Sequence, residues 1–212
     1  MKRYKFPSIP HLPWSATIQK DDQENKNIDS FLGKRIYITE KLDGENTTIY
    51  SDGYIHARSI DSKNHPSRNW VKNMASKLDI PNGYRICGEN LYAKHSIFYD
   101  NLTSYFQVFA IWKEDVCLSV YEMIRFCTEI DLFTTPLIFS GQFFDEKEFL
   151  DWHKNYIKTS DLNKTEGYVV RLEKSFTIND FSNCIAKFVR PNHVQTDEHW
   201  MSKDIIKNKM RR

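Results

Sequence analysis

Strand-like runs dominate this chain, and they recur at irregular intervals among a few helical stretches. Arg35 to Lys41 and Thr47 to Tyr50 are rich in β-branched and aromatic residues. Ser51-Asp52-Gly53 turns the second run back into Tyr54 to Arg58, which predicts a hairpin. Tyr84 to Leu91, Tyr105 to Trp112 and Val116 to Val120 read as further strands, the last two joined by Lys113-Glu114-Asp115; Gly167 to Leu172 and Cys184 to Val189 close the series. Helical spacing covers Trp70 to Leu78, a stretch after Ser119 that directs Met123, Phe126, Cys127 and Ile130 inward, Glu146 to Ile157, and a short segment from Trp200 to Lys209. This mixture predicts an α+β fold of antiparallel sheets and helices packed around a cleft.

The 212 residues suit a single domain, 1–212. Within it, residues 1–30 read as an irregular arm and loop, from Pro7, Pro10, Pro13 and the polar run Lys20 to Asn27, and 199–212 as a short basic helix and tail. An apolar content of 40% supplies a packed core, and no stretch approaches the ~20 apolar residues of a membrane span. The basic start, Met1 to Lys5, runs into prolines instead of an apolar helix, so no signal peptide is expected and the predicted compartment is cytoplasmic. Cys87, Cys117, Cys127 and Cys184 form no C-x-x-C pair and read as core thiols of a reduced protein. With a net charge of only +2, a nucleic-acid partner would need local basic patches: Lys63 to Arg68, Lys72 with Lys77, or Lys203 to Arg212.

The sharpest chemical feature is Lys41, at the end of a predicted strand and two residues before Asp43-Gly44. A lysine is a nucleophile only as the neutral amine, and at a pKa near ~10.4 removing its proton at neutral pH costs roughly 4 kcal/mol unless the site lowers that value. Burial, nearby cations and a bound metal are the usual means. Asp43 offers a carboxylate for a metal or its waters, and Gly44 a close backbone approach to a ligand.

Downstream of Lys41-Leu42-Asp43-Gly44 come Tyr54 to Ser59, Arg85 to Tyr92, Tyr105 to Trp112, Glu166-Gly167-Tyr168-Val169-Val170-Arg171 and Ala186-Lys187-Phe188-Val189-Arg190. In this order they resemble the motifs of the covalent ATP-dependent ligase and capping-enzyme superfamily. The flanking strings Phe6-Pro7, His11 to Ser15, Asn46 to Tyr50, His65 to Arg68 and Pro191 to Trp200 resemble small bacterial and phage RNA ligases. The resemblance implies an adenylyltransferase domain working on RNA with 5′-phosphate and 3′-hydroxyl ends, with ATP and Mg²⁺ or Mn²⁺ as cofactors. It implies three steps: AMP transfer to the enzyme, AMP transfer to the RNA 5′-phosphate, and sealing by the 3′-hydroxyl. About two dozen residues follow the Lys187 strand, so no C-terminal OB barrel is expected.

Residue by residue, the resemblance makes Lys41 the nucleophile that carries AMP. Glu40 would accept from the adenine amino group, Asn46 would bind the nucleotide, and Arg58 would hold a phosphate, the ribose or an RNA end through its fixed fork of donors. Glu89 would contact a ribose hydroxyl, with Gly88 permitting the approach. Phe109 would stack on adenine, while Phe106, an odd number of positions away on the same strand, faces the core. Glu166 and Asp43 would bind the metal, and Lys187 the α-phosphate. The resembling enzymes carry a second lysine two residues on; here that position is Val189, which raises Arg190 as a substitute. His65 and His95 lie in resembling strings without an implied role, and the spacing of His193 and His199 around Asp197 does not suit a metal site. Rival readings are a small DNA ligase, a GTP-dependent capping enzyme, and a nucleotide- or RNA-binding module without catalysis.

Overall fold

Ile36 and Ile38 are fully buried while Tyr37, Thr39 and Lys41 stay partly accessible, so the run Ile36–Lys41 forms a strand, β1, with one face in the core and the other on a cleft. The computed structural model describes residues 2–15, 28–191 and 204–211. In it β1 is followed by β2 (Glu45–Tyr50), β3 (Ile55–His56), α1 (Asn69–Ala75), β4 (Tyr84–Asn90), β5 (Phe106–Lys113), β6 (Val116–Cys117) and α2 (Val120–Glu129). Then come β7 (Phe133–Thr134), β8 (Leu137–Gly141), α3 (Glu146–Thr159), β9 (Gly167–Leu172), β10 (Phe176–Thr177), α4 (Phe181–Cys184) and β11 (Ile185–Val189).

Two sheets result. The first has the order β11-β9-β1-β8 and is antiparallel throughout. Its outer face packs on α3: Tyr168 of β9 meets Trp152 and Tyr156 edge-on, and Phe188 of β11 meets His153. The second runs β10-β6-β5-β4-β2-β3, with β7 added beside β5 as a parallel partner. Ile49, Ile86, Phe106 and Val108 on one side of it form a cluster with Val71 of α1 and Met123 and Cys127 of α2. Ser119 starts α2 as a capping box with Glu122, which stops the preceding strand at Cys117 instead of Val120. The α+β class and its antiparallel sheets agree with the sequence expectation, β5–β7 excepted. All four cysteines are buried and unpaired.

Both described ends of the chain are pinned to the sheets. Pro10 and Leu12 exchange main-chain hydrogen bonds with Lys187 of β11, and Ser15 Oγ accepts the Val189 amide. The expected arm is therefore an added partner of the sheet edge. The helix expected over Trp200 to Lys209 is corrected for its described part: residues 204–209 carry no helix, and Lys207 and Met210 form bridges to Ala93 and Leu102. Residues 16–27 and 192–203, including His193, Asp197 and His199, lie outside the described set. Among the described residues no helix is long and apolar enough to cross a membrane.

Candidate nucleotide site

Between the two sheets lies a cavity of about 750 Å³, within the range of small-molecule and cofactor sites. The inward face of the first sheet supplies Thr39 and Lys41 of β1, Val169 of β9 and Lys187 of β11; pairing Thr39 with Val169 and Val169 with Lys187 aligns these side chains across three strands. The second sheet supplies Asn46, Glu89 and Phe109. Glu40, Asp43, Arg58 and Glu166 complete the set, so every one of the nine residues singled out from the sequence lines this one cavity.

Lys41 sits opposite Gly167, and its Nζ lies 2.6 Å from Glu166 Oε2. Gly167 has φ +146°, and a Cβ there would fall 2.0 Å from the Phe188 carbonyl oxygen. Only glycine fits, and its close approach to β11 brings Glu166 to the lysine. The means of lowering the Lys41 pKa named from the sequence do not prevail in the unliganded protein. Burial pulls it down, but the carboxylates of Glu166, Glu89 and Asp43 outweigh burial and hold it above the ordinary lysine value. Without ligand the lysine is thus a stored ammonium.

Asp43 is held firmly. Its Oδ2 accepts the Ser96 amide at 2.8 Å, the Ser96 hydroxyl at 2.6 Å and the Ile97 amide at 2.8 Å, while its own amide donates to the Tyr99 hydroxyl at 2.9 Å. Gly44 also has a packing reason. A Cβ would lie 2.7 Å from the Asn90 carbonyl oxygen and 3.0 Å from Glu89 Cγ, so the glycine lets the turn press on β4. From there its amide donates to Glu89 Oε1 at 3.2 Å. Burial drives the Glu89 carboxyl up to about 8, with Glu166 and Asp43 adding to the rise and Lys41 opposing it. Burial likewise raises Glu40.

Phe109 reaches the cavity through an irregularity. Cys87 pairs with Ala110 and Gly88 with Val108, leaving Phe109 as the extra residue of a bulge in β5. Its ring meets Phe6 of the N-terminal arm edge-on at 5.0 Å, whereas Phe106 is fully buried on the other side. Gly88 makes room for Phe106, because a Cβ would strike that ring at 2.4 Å. Among the described residues Asn46 Oδ1 is buried with no hydrogen-bond partner, at a residue that lines the cavity. Arg58 is exposed at the rim and donates to Ser8 Oγ at 3.3 Å.

Three further sequence expectations are settled by geometry. Arg190 is absent from the cavity lining; its amide donates to the Glu166 carbonyl and its Nε to the Thr165 carbonyl, so it braces the turn that carries Glu166. Arg68, expected among surface cations, is buried in a two-pronged pair with Glu45, both bonds 2.6 Å long. His65 caps the 3-10 turn Pro66–Arg68 that delivers it, and His95 lines the cavity. The sequence reading assigned no role to Glu45, Ser96, Tyr99 or the arm wall Phe6 to Ile9; of these Phe6 and Pro7, in one resembling string, and Ser96, in the string around His95, carried a signal.

The electrostatic pattern suits a polyphosphate with a divalent ion. Lys41 and Lys187 face carboxylates on Asp43, Glu89 and Glu166 in one cavity, and among the described residues no three His, Cys, Asp or Glu side chains form a metal-binding group by themselves. Residues 34–189 match the family model for RNA ligases. Similar solved folds include an archaeal ATP-dependent RNA ligase, 18% identical with a TM-score of 0.56, covering 87% of this chain and 48% of that one. A lysine-to-alanine mutant of the Naegleria gruberi RNA ligase with ATP and Mn is 17% identical with a TM-score of 0.52, covering 89% and 61%. The chain thus spans about half the length of the first and about three fifths of the second. No curated protein matches it.

Proposed function

The chain belongs to the RNA ligase family, and from that premise we propose that it is an ATP-dependent RNA ligase working through AMP carried on Lys41. The observation that supports this best is the convergence of Lys41, Glu166, Glu89, Asp43 and Lys187 on one cavity of nucleotide size. In this reading Phe109 stacks on adenine, Asn46 Oδ1 and Glu40 accept donors from the nucleotide, and Lys187 holds the α-phosphate. A divalent ion, Mg²⁺ or Mn²⁺, held by Asp43 and Glu166 directly or through water, would neutralise phosphate charge and draw Glu166 away from the lysine. Lys41 then loses its proton, its Nζ bonds to the α-phosphorus, and the bond to the bridging oxygen breaks to release pyrophosphate. AMP passes next to an RNA 5′-phosphate, and a 3′-hydroxyl displaces it.

The test is covalent capture. With ATP labelled at the α-phosphate, wild type should gain one AMP by intact mass and Lys41→Ala none; capture of GTP instead would move the protein to the capping enzymes. Sealing should then proceed on ribose-ended 3′-hydroxyls and slow sharply when the terminal sugars there are deoxy, because the 2′-hydroxyl is what separates RNA from DNA at a given position. Equal rates would move it to the small DNA ligases.

A further inference from the structure

The C-terminal segment 204–211 is clipped between the two limbs of the loop that follows β4. Ile206 accepts the Lys94 amide, Lys209 donates to Tyr99 and accepts from Leu102, and Arg211 donates to Leu102. At its centre Asn208 is buried and every polar group it has is used. Its amide donates to the Tyr92 carbonyl at 3.1 Å, its Nδ2 to the Leu91 carbonyl at 2.8 Å, its Oδ1 accepts the Tyr99 amide at 2.9 Å, and its carbonyl accepts the Tyr105 hydroxyl at 3.0 Å.

The loop so clamped is the one that holds Asp43. Tyr99, fixed at its amide by Asn208, accepts the Asp43 amide at its hydroxyl oxygen, and Ser96 and Ile97 donate to the Asp43 carboxylate. We propose that the C-terminal strap, through Asn208, is a positioning element of the nucleotide site that sets the Asp43 carboxylate by fixing residues 95–99. None of residues 204–211 lines the cavity, so the strap acts on the chemistry through the loop that holds Asp43. An asparagine suits this post because one side chain joins a donor and an acceptor at fixed separation across both limbs. The extended course of the strap also orients its cations: Lys207 lies over the Tyr92 and Tyr105 rings and Lys209 over Phe98, on the aromatic floor of the loop.

The mechanical link stands on these bonds alone; its effect on catalysis rests on the ligase reading above. Amide hydrogen exchange on the nucleotide-free full chain, followed by NMR, tests the link. In Asn208→Ala the Ser96 and Ile97 amides should exchange at least tenfold faster while those of β9 and β11 keep their wild-type rates. Unchanged exchange at Ser96 and Ile97, or equal acceleration throughout the protein, would overturn the proposal. Tyr99→Phe retains the ring and supplies an independent check if Asn208→Ala does not fold: the Asp43 amide should lose protection at least tenfold, and unaltered protection counts against the link. For catalysis, Asn208→Ala should raise the half-saturating Mg²⁺ for AMP capture at least fivefold, a change that mere loss of thermal stability would not produce. A wild type that captures no AMP would remove the ligase reading and leave the exchange result standing.

Discussion

Glu166→Gln should make Lys41 a more reactive amine and the protein a worse adenylyl acceptor at once. Removing one partner of a fully buried ion pair costs about 3–5 kcal/mol. The Lys41 side chain keeps 23% exposure, and Glu89 and Asp43 remain beside it, so about 2–3 kcal/mol is expected here. Because the folded protein holds Lys41 above its ordinary pKa, the stability this pair contributes is fully present at neutral pH and is lost only as pH rises through the folded-state value. Urea unfolding at pH 7 should therefore show the whole loss, as a lower midpoint at unchanged slope. With its main counterion gone, burial favours the neutral amine. Labelling by an amine-directed acylating reagent at pH 7, read by peptide mapping against exposed Lys158, should speed up at Lys41 by at least about tenfold. AMP capture should nevertheless fall on the order of a hundredfold, since the carboxylate proposed for the metal is lost. If Lys41 in the variant labels no faster than in wild type, or if AMP capture rises along with its reactivity, the reasoning is wrong.

Phe109→Ala should raise the KM for ATP more than Phe109→Leu does, because stacking needs a broad flat surface; Phe106→Ala should cost about 3–5 kcal/mol of stability, read by urea unfolding, with little effect on KM in the protein that remains folded. Glu89→Gln should stabilise the protein by an amount that grows as pH rises from about 4.5 to about 8. In that window the folded wild type keeps a proton that the unfolded chain releases, so wild-type stability falls with pH; a pH-independent difference in melting temperature would contradict it. Gly167→Ala should unfold the protein or displace Glu166, as its methyl would meet the Phe188 carbonyl, and a variant with wild-type melting temperature and AMP capture would exclude the close approach described here.

The chemistry of this chain was more legible than its scaffolding. Lys41 ends a run that alternates, Glu166 stands just before the run Gly167 to Leu172 and Lys187 lies within the run Ile185 to Val189, so the strands that carry or adjoin them follow from local sequence. Strand β8 escaped notice because Leu137 to Gly141 follows Pro136 without alternation and is placed by pairing with β1, about a hundred residues earlier. The bulge at Phe109 has no local signature, since it is a shift in the pairing of β5 with β4 and not a feature of either run alone. Arg68 looked like a surface cation because its partner Glu45 is distant in sequence, and charge alone cannot tell a buried pair from a phosphate contact. Spacing alone suggests a helix over Trp200 to Lys209, whereas Asn208 is held by the Leu91 and Tyr92 carbonyls, more than a hundred residues away.

The pairing of the N-terminal arm with β11 has a consequence for how the protein is made. The Val189 amide meets Ser15 across a separation of 174 residues, and Leu12 meets Lys187 across a similar span. Contacts of such length are late and slow in folding, because loop closure must precede any gain from them. During synthesis the second sheet, whose central strands β2, β4 and β5 lie within residues 45–113, can assemble while the first still lacks β9 and β11. Until residue 172 has left the ribosome, Lys41 stands on a strand without its inner neighbour β9, and until residue 189 has followed, the arm that bears Phe6 has no edge to join. A nascent chain should accordingly gain protease resistance over its second sheet well before it can retain a nucleotide, and the two events should be separable by stalling translation between residues 130 and 185.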